Sequence, residues 1–230
     1  MQYRSALIVG AGAGLSASLA RLFAKNGLAV ALAARRTDKL AELCRETGAR
    51  AFECTAEDPA SVAALFSAVE SAGFAPDVVV FNASARVRGA VSELDPADVK
   101  RAIEITAFGA FLVSQQALRR MLPKREGALL LTGATAGVKG FANSAAFAMG
   151  KFALRGLAQA MAREVSPQGV HVAHFVIDGG IATAARPAPA DQPDSLLDPD
   201  AIAETYWHVM HQHRSAWSWE VELRPWTERF

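Results

Sequence analysis

The chain has 230 residues, 51% of them hydrophobic and 20% charged, with a formal net charge of +1. That size and balance fit one large domain with a sizeable core, and without a Lys/Arg stripe they argue against nucleic-acid and membrane partners. Cys44 and Cys54 make neither a disulfide framework nor a metal-ligand spacing, and no apolar run reaches membrane-spanning length, so a cytoplasmic protein is expected. Arg4 before a small apolar run imitates a signal peptide, but Gly10, Gly12 and Gly14 interrupt that run too early.

In chain order, short apolar runs at residues 5–10, 28–34, 49–54, 77–81, 128–132 and 170–177 predict strands buried on both faces. Helical patterns at 14–26, 37–47, 59–72, 96–121 and 144–166 separate them, with Asn26-Gly27 and Thr47-Gly48 as C-terminal stops. Such alternation predicts an α/β fold: a single doubly wound, Rossmann-like parallel sheet flanked by helices on both faces and spanning residues 1–230 as one domain. Residues 184–199 hold Pro187, Pro189, Pro193 and Pro199 among Asp, Ser and Ala, the composition of a mobile loop or a disordered segment. The segment 205–230 carries Trp207, Trp217, Trp219 and Trp226. It fits either a packed C-terminal helix and edge strand or an oligomer contact.

Val9-Gly10-Ala11-Gly12-Ala13-Gly14-Leu15-Ser16 lies between the first strand and the first helix. Glycines there let the backbone approach a pyrophosphate, while the helix N-terminus offers N–H groups and a positive dipole end. Gly10, Gly12, Ala13, Gly14 and Leu15 are therefore candidate cofactor contacts. The motif also parses as the Gly-x-Gly-x-Gly of a methyltransferase, and a tight turn without a ligand is the plainer alternative. The second strand ends in Ala33-Ala34-Arg35-Arg36, with no carboxylate to hold a ribose diol. A guanidinium suits a 2′-phosphate, which favours NADP(H) over NAD(H) and disfavours S-adenosylmethionine. Solvated surface charge is the other reading of Arg35 and Arg36.

Further along stand Asp58 after the third strand, Phe81-Asn82-Ala83-Ser84 after the fourth, and Asp178-Gly179 with Ile181 and Thr183 after the sixth. Phe147-Ala148-Met149-Gly150-Lys151 opens the last long helix. With the glycine turn, these segments resemble the short-chain dehydrogenase/reductase family over nearly the whole chain. The resemblance implies an NAD(P)-dependent oxidoreductase acting on a carbonyl or alcohol. It places Asp58 near the adenine, Asn82 and Ala83 along the cofactor groove, Gly179 and Ile181 among the cofactor contacts, Thr183 on the carboxamide, and Lys151 on the nicotinamide ribose. It also implies a homodimer or homotetramer assembled through the helices at 96–121 and 144–166.

The family's acid–base set is changed here. Its Tyr position holds Phe147, its Ser position Ala134, and its Asn position Thr106. A phenol beside a lysine one helical turn away is what moves the substrate's proton, and phenylalanine has none to move. No tyrosine lies between Tyr3 and Tyr206, so no shift of register restores one. Thr132 and Thr135 flank Ala134 and are the nearby hydroxyls. His171 and His174 fall on a strand and suggest core packing, while His208, His211 and His213 suggest a surface helix face, so no metal site is expected. Three functions remain open: slow NADP(H)-dependent hydride transfer with water or Thr135 as proton donor, NADP(H) binding without redox turnover, and a fold kept without a nucleotide.

Overall fold

The computed structural model describes residues 2–228. Its seven strands are β1 (Ser5–Val9), β2 (Ala29–Ala34), β3 (Arg50–Glu53), β4 (Val78–Phe81), β5 (Ala128–Thr132), β6 (His171–Ile177) and β7 (Glu220–Leu223). They form one parallel sheet in the order β3-β2-β1-β4-β5-β6-β7. Helices α1 (Leu15–Lys25), α2 (Ala41–Thr47) and, later in the chain, α7 (Pro199–Met210) cover one face. On the other face lie α3 (Pro59–Ser71), α5 (Gly109–Met121) and α6 (Ala145–Val165), with α4 (Pro96–Ile103) packed against α6. This is the doubly wound arrangement that the strand–helix alternation predicts.

The strands are apolar at every position because both of their faces are covered. In β1, Ala6 and Ile8 join the core under α1 and α7, whereas Leu7 and Val9 join the core under α3, α5 and α6. Val78 and Val80 against Val79 and Phe81 repeat the division in β4. Val9 aligns with Ala33 on one side and Phe81 on the other. The residues that follow these three strands therefore emerge along one edge of the sheet.

Helix ends follow their local chemistry. Gly27 takes φ +86°, and the Gly27 and Leu28 N–H groups donate to Ala24 and Phe23 carbonyls at 2.9 and 3.0 Å, closing α1. The helix expected at 96–121 is broken in two by a π-helical segment, Glu104–Phe108, which carries Thr106. At 37–47 a 3₁₀ turn, Asp38–Leu40, precedes α2.

The tryptophan-rich segment forms α7 and the edge strand β7, with Trp207 packed against Phe23 of α1 and Trp217 stacked on His171 at 4.6 Å. Glu220 fixes β7: Arg155 of α6 donates to its two carboxylate oxygens at 2.6 and 2.7 Å, and His174 Nδ1 lies 3.1 Å away. Burial lowers the pKa of His174 to about 4, opposed by its Glu220 contact. The loop between β6 and α7 is tied at its base. There the Leu197 N–H donates to Gly180 O and the Ala182 N–H to Leu197 O, each at 2.8 Å. Trp226 Nε1 donates to Asp194 on the same loop at 3.0 Å. Among the described residues, no helix is long and apolar enough to cross a membrane.

Candidate active site

Strand order reverses between β1 and β4, and the crevice of an open α/β sheet forms at such a switch point, beyond the C-terminal strand ends. A cavity of about 1080 Å³ lies there, lined from β1 by Gly10, Gly12 and Ala13, from β2 by Arg35 and Arg36, and from β4 by Asn82 and Ala83. Its volume is just above the roughly 300–1,000 Å³ of small-molecule sites, room enough for an extended ligand.

The glycine turn has a distinct requirement at each position. Gly10 takes φ +86°, and a Cβ there would stand 2.4 Å from the Ala83 backbone nitrogen. At Gly12 and Gly14 a Cβ would meet no heavy atom within 4 Å, so both positions face open space rather than packed protein. No side chain caps the start of α1, and of its first turn the Ala17 N–H donates back to Gly14 O at 2.8 Å. Ser16 Oγ donates to Gly10 O at 3.2 Å and accepts from Asn82 Nδ2 at 2.7 Å, locking the turn to the loop after β4. Leu15 is buried in the core beneath the turn. This cradle fits a dinucleotide pyrophosphate: backbone donors are present, and the space that side chains would fill is left clear.

At the β2 end, exposed Arg35 and Arg36 line the crevice together with Lys39. None of the three has an ion-pair partner among the described residues. Lys39 was not legible from the motif, since it enters the crevice through the 3₁₀ turn ahead of α2. Asp58 stands at the start of α3. Its carboxylate caps α3 by accepting the Ala60 N–H at 2.9 Å, and its neighbour Glu57 is the acid that lines the crevice.

On the helix α6, Lys151 follows Phe147 by one turn and is 3% exposed. Its Nζ donates to the Thr132 carbonyl at 2.6 Å. Burial, and secondly the charge of Arg86, push its pKa down to about 7. Phe147, Ala134 and Ala136 pack into a small apolar cluster. The chain thus brings together the positions that the resemblance assigns to Tyr and Ser, with no hydroxyl on either. The Arg86 guanidinium stands 4.4 Å from the Phe147 ring centroid, and Lys151 Nζ 5.8 Å from it.

Thr106 is buried in the π-helical segment, where its hydroxyl accepts the Ala85 N–H at 3.2 Å. Thr132 Oγ1 pairs with the Tyr206 hydroxyl at 2.9 Å in the core. Tyr206 stacks on Phe175 and is fully buried, which raises its pKa, so its phenol belongs to the α7 side of the sheet and not to the cleft. Thr135 Oγ1 donates to Ile177 O at 3.4 Å. After β6, Ile181 bridges to Leu197, and the Thr183 hydroxyl accepts the Arg186 N–H at 3.0 Å. Gly179, Ile181 and Thr183 thus follow the strand on the expected sheet edge but do not line the crevice. Among the described residues, no three His, Cys, Asp or Glu side chains are grouped to hold a metal ion.

The short chain dehydrogenase family model matches residues 4–193. The cyclic-di-GMP-binding biofilm dispersal mediator protein of Escherichia coli K12 is 33% identical over 195 residues, covering 84% of this chain and 79% of its own length. Cis-4-hydroxycyclohexanecarboxylate dehydrogenase of Sinomonas cyclohexanicum is 34% identical over 176 residues, covering 74% of this chain and 70% of its own. A solved short-chain dehydrogenase from Rhodopseudomonas palustris matches with a TM-score of 0.84 and 32% identity, covering 97% of this chain and 99% of that one. On the sequence match, the parallel sheet and the glycine turn at its switch point, this chain belongs to the short-chain dehydrogenase/reductase family of NAD(P)-dependent oxidoreductases.

Proposed function

We propose that the protein uses NADP(H) to interconvert a carbonyl and an alcohol by hydride transfer, with Lys151 as the ionisable group nearest the reaction. The observation that carries this reading is the pairing of an arginine- and lysine-lined crevice end with a buried, activated lysine. The turn at Gly10, Gly12 and Gly14 and the first turn of α1 hold the pyrophosphate. Arg35, Arg36 and Lys39 hold a 2′-phosphate, which favours NADP(H) over NAD(H). Asn82 and Ala83 line the groove, and Lys151 holds the nicotinamide ribose.

When bound, the nicotinamide supplies a hydride to the carbonyl carbon or accepts one from the alcohol carbon. The carbonyl oxygen then needs one proton. With a pKa of about 7, Lys151 Nζ exchanges a proton near neutrality and serves as its source through a water molecule. Thr135, whose hydroxyl already donates to Ile177 O, is the weaker candidate donor. Loss of a directly placed general acid costs about 10²–10⁴-fold, so turnover is slow but finite. Positioning of the reacting atoms still contributes.

A second reading, NADP(H) binding without turnover, is favoured by the apolar cluster of Ala134, Ala136 and Phe147 at the proton-relay positions. NADPH oxidation across a panel of ketones and aldehydes separates the two. Wild-type turnover, raised on the order of 10²-fold by Phe147→Tyr with Ala134→Ser, supports the oxidoreductase. Activity that exists only in the double variant supports the binding protein.

We also propose self-assembly through the faces of α5 and α6, as a homodimer or homotetramer. Phe108, at the end of the π-helical segment, stacks on Phe111 of α5, and with Met149 and Phe152 of α6 they are 42–53% exposed, apolar side chains suited to burial against a second copy. Free Cys44 and Cys54 suit the cytoplasm as the working compartment.

A further inference from the structure

At the opposite end of the sheet from the crevice, where β6 and β7 begin, lies a further cavity of about 700 Å³. That volume falls within the roughly 300–1,000 Å³ of small-molecule sites. The seven residues of β6 put roughly 20 Å between this cavity and the C-terminal strand ends. Arg125, Arg163 and Arg214 line it together with His171, Trp217 and Trp219, and it shares no lining residue with the crevice.

The cavity wall is built from turns pinned to one another. Arg125 takes φ +54°, uncommon for a residue with a side chain, and its carbonyl is the shared point. Arg214 Nη2 donates to that carbonyl at 3.2 Å. Gly169, at φ +93°, comes so close that a Cβ would stand 2.3 Å from the same oxygen. The Gly169 N–H donates in turn to Ser166 O at 3.0 Å, about one helical turn after Arg163. The rings are fixed as well. His171 Nε2 donates to Ser218 O at 2.9 Å, and the Trp217 indole stacks on the imidazole with centroids 4.6 Å apart and planes 3° from parallel. Trp217 Nε1 donates to Gln212 O at 3.2 Å. Burial lowers the pKa of His171, so the ring is neutral near pH 7 and its Nδ1 is an acceptor. That buried atom has no hydrogen-bond partner among the described residues.

The charge of this wall is one-sided. Among the described residues, no Asp or Glu lines the cavity. Glu126 and Glu164, next in sequence to Arg125 and Arg163, lie outside the lining and form no ion pair among the described residues. Glu220 is taken up by Arg155 and His174. Arg125 and Arg163 have no ion-pair partner among the described residues either. Guanidinium forks match the oxygens of a phosphate or carboxylate, and an indole presents a face or an edge to a planar ring. At this volume the cavity has room for a ring and an anionic group together.

We propose that the cavity is a second ligand site, for a small molecule that joins a planar aromatic ring to a phosphate or carboxylate group. Arg125 and Arg163 hold the anion, and Trp217 and Trp219 hold the ring. The site stands apart from the crevice and does not rest on the oxidoreductase reading.

Calorimetric titrations of the whole protein compare AMP with adenosine and benzoate with benzamide, and inorganic phosphate and acetate serve as the anions without a ring. In at least one pair, the charged member is expected to bind on the order of tenfold more tightly than its neutral partner and than the matching ringless anion. The pair that shows this identifies the anionic group. Arg125→Gln with Arg163→Gln is expected to abolish the preference while NADPH affinity and the unfolding midpoint stay at wild-type values. Arg35→Ser with Arg36→Ser, at the crevice, is expected to leave the preference in place. Equal binding within both pairs, no binding of any probe, or a ringless anion that binds as tightly overturns the proposal. So does a preference that survives the Arg125 and Arg163 variant, or one that the crevice variant removes.

Discussion

Burying an amine with one carbonyl partner costs stability, and Lys151 is held this way against Thr132. Its folded pKa of about 7 lies below the roughly 10.4 of an unfolded lysine. Between those values the unfolded chain binds the additional proton, so this group makes the protein more stable as pH rises from about 7 toward 10 and adds no pH dependence below 7. In denaturant titrations without cofactor, Lys151→Met is therefore expected to be more stable than wild type at pH 7, with a gap that narrows toward pH 10. A gap independent of pH contradicts the buried neutral lysine. At this scale the sequence was most legible where backbone geometry makes the demand. Gly10 has to be glycine because Ala83 leaves no room for a side chain, and the i, i+4 spacing put Lys151 beside Phe147. Lys39, Glu57 and Arg86 were not legible as site residues, because proximity through the fold and not spacing brings the first two to the crevice and Arg86 to the Phe147 ring.

Among elements, the edge strand β7 depends on the bonds from Arg155 to Glu220, a charge-assisted pair that is partly buried. Glu220→Ala leaves Arg155 unpaired and is expected to cost about 1–3 kcal/mol of unfolding free energy. Arg21→Ala, which breaks the exposed pair with Glu46, is expected to cost about 0–1 kcal/mol. Equal losses in chemical denaturation would show that Glu220 does not anchor the strand. The central strands were legible because both-face burial makes them apolar throughout. By contrast, β7 reads Glu-Val-Glu-Leu, and its polar positions are satisfied by tertiary partners that no local pattern reveals. The π-helical segment was likewise hidden inside one long helical pattern, since a single extra residue in a turn leaves the apolar periodicity nearly intact.

For the whole molecule, the apolar faces of α5 and α6 predict a defined oligomer. Phe152→Glu is expected to shift wild-type dimers or tetramers toward smaller species in sedimentation velocity. A monomeric wild type contradicts this assembly. The larger claim is that Arg35 and Arg36 at one end of the crevice and the buried Lys151 of α6 act together on NADP(H), so that cofactor recognition persists although the phenol of the acid–base set is gone. Calorimetric titration of NADPH and NADH into wild type, Arg35→Ser with Arg36→Ser, and Lys151→Ala tests it most directly. The account predicts NADPH binding on the order of tenfold or more tighter than NADH, loss of that advantage in the arginine variant, and weaker binding of both cofactors in Lys151→Ala. Equal or tighter binding of NADH by wild type, or no binding of either nucleotide, would contradict it.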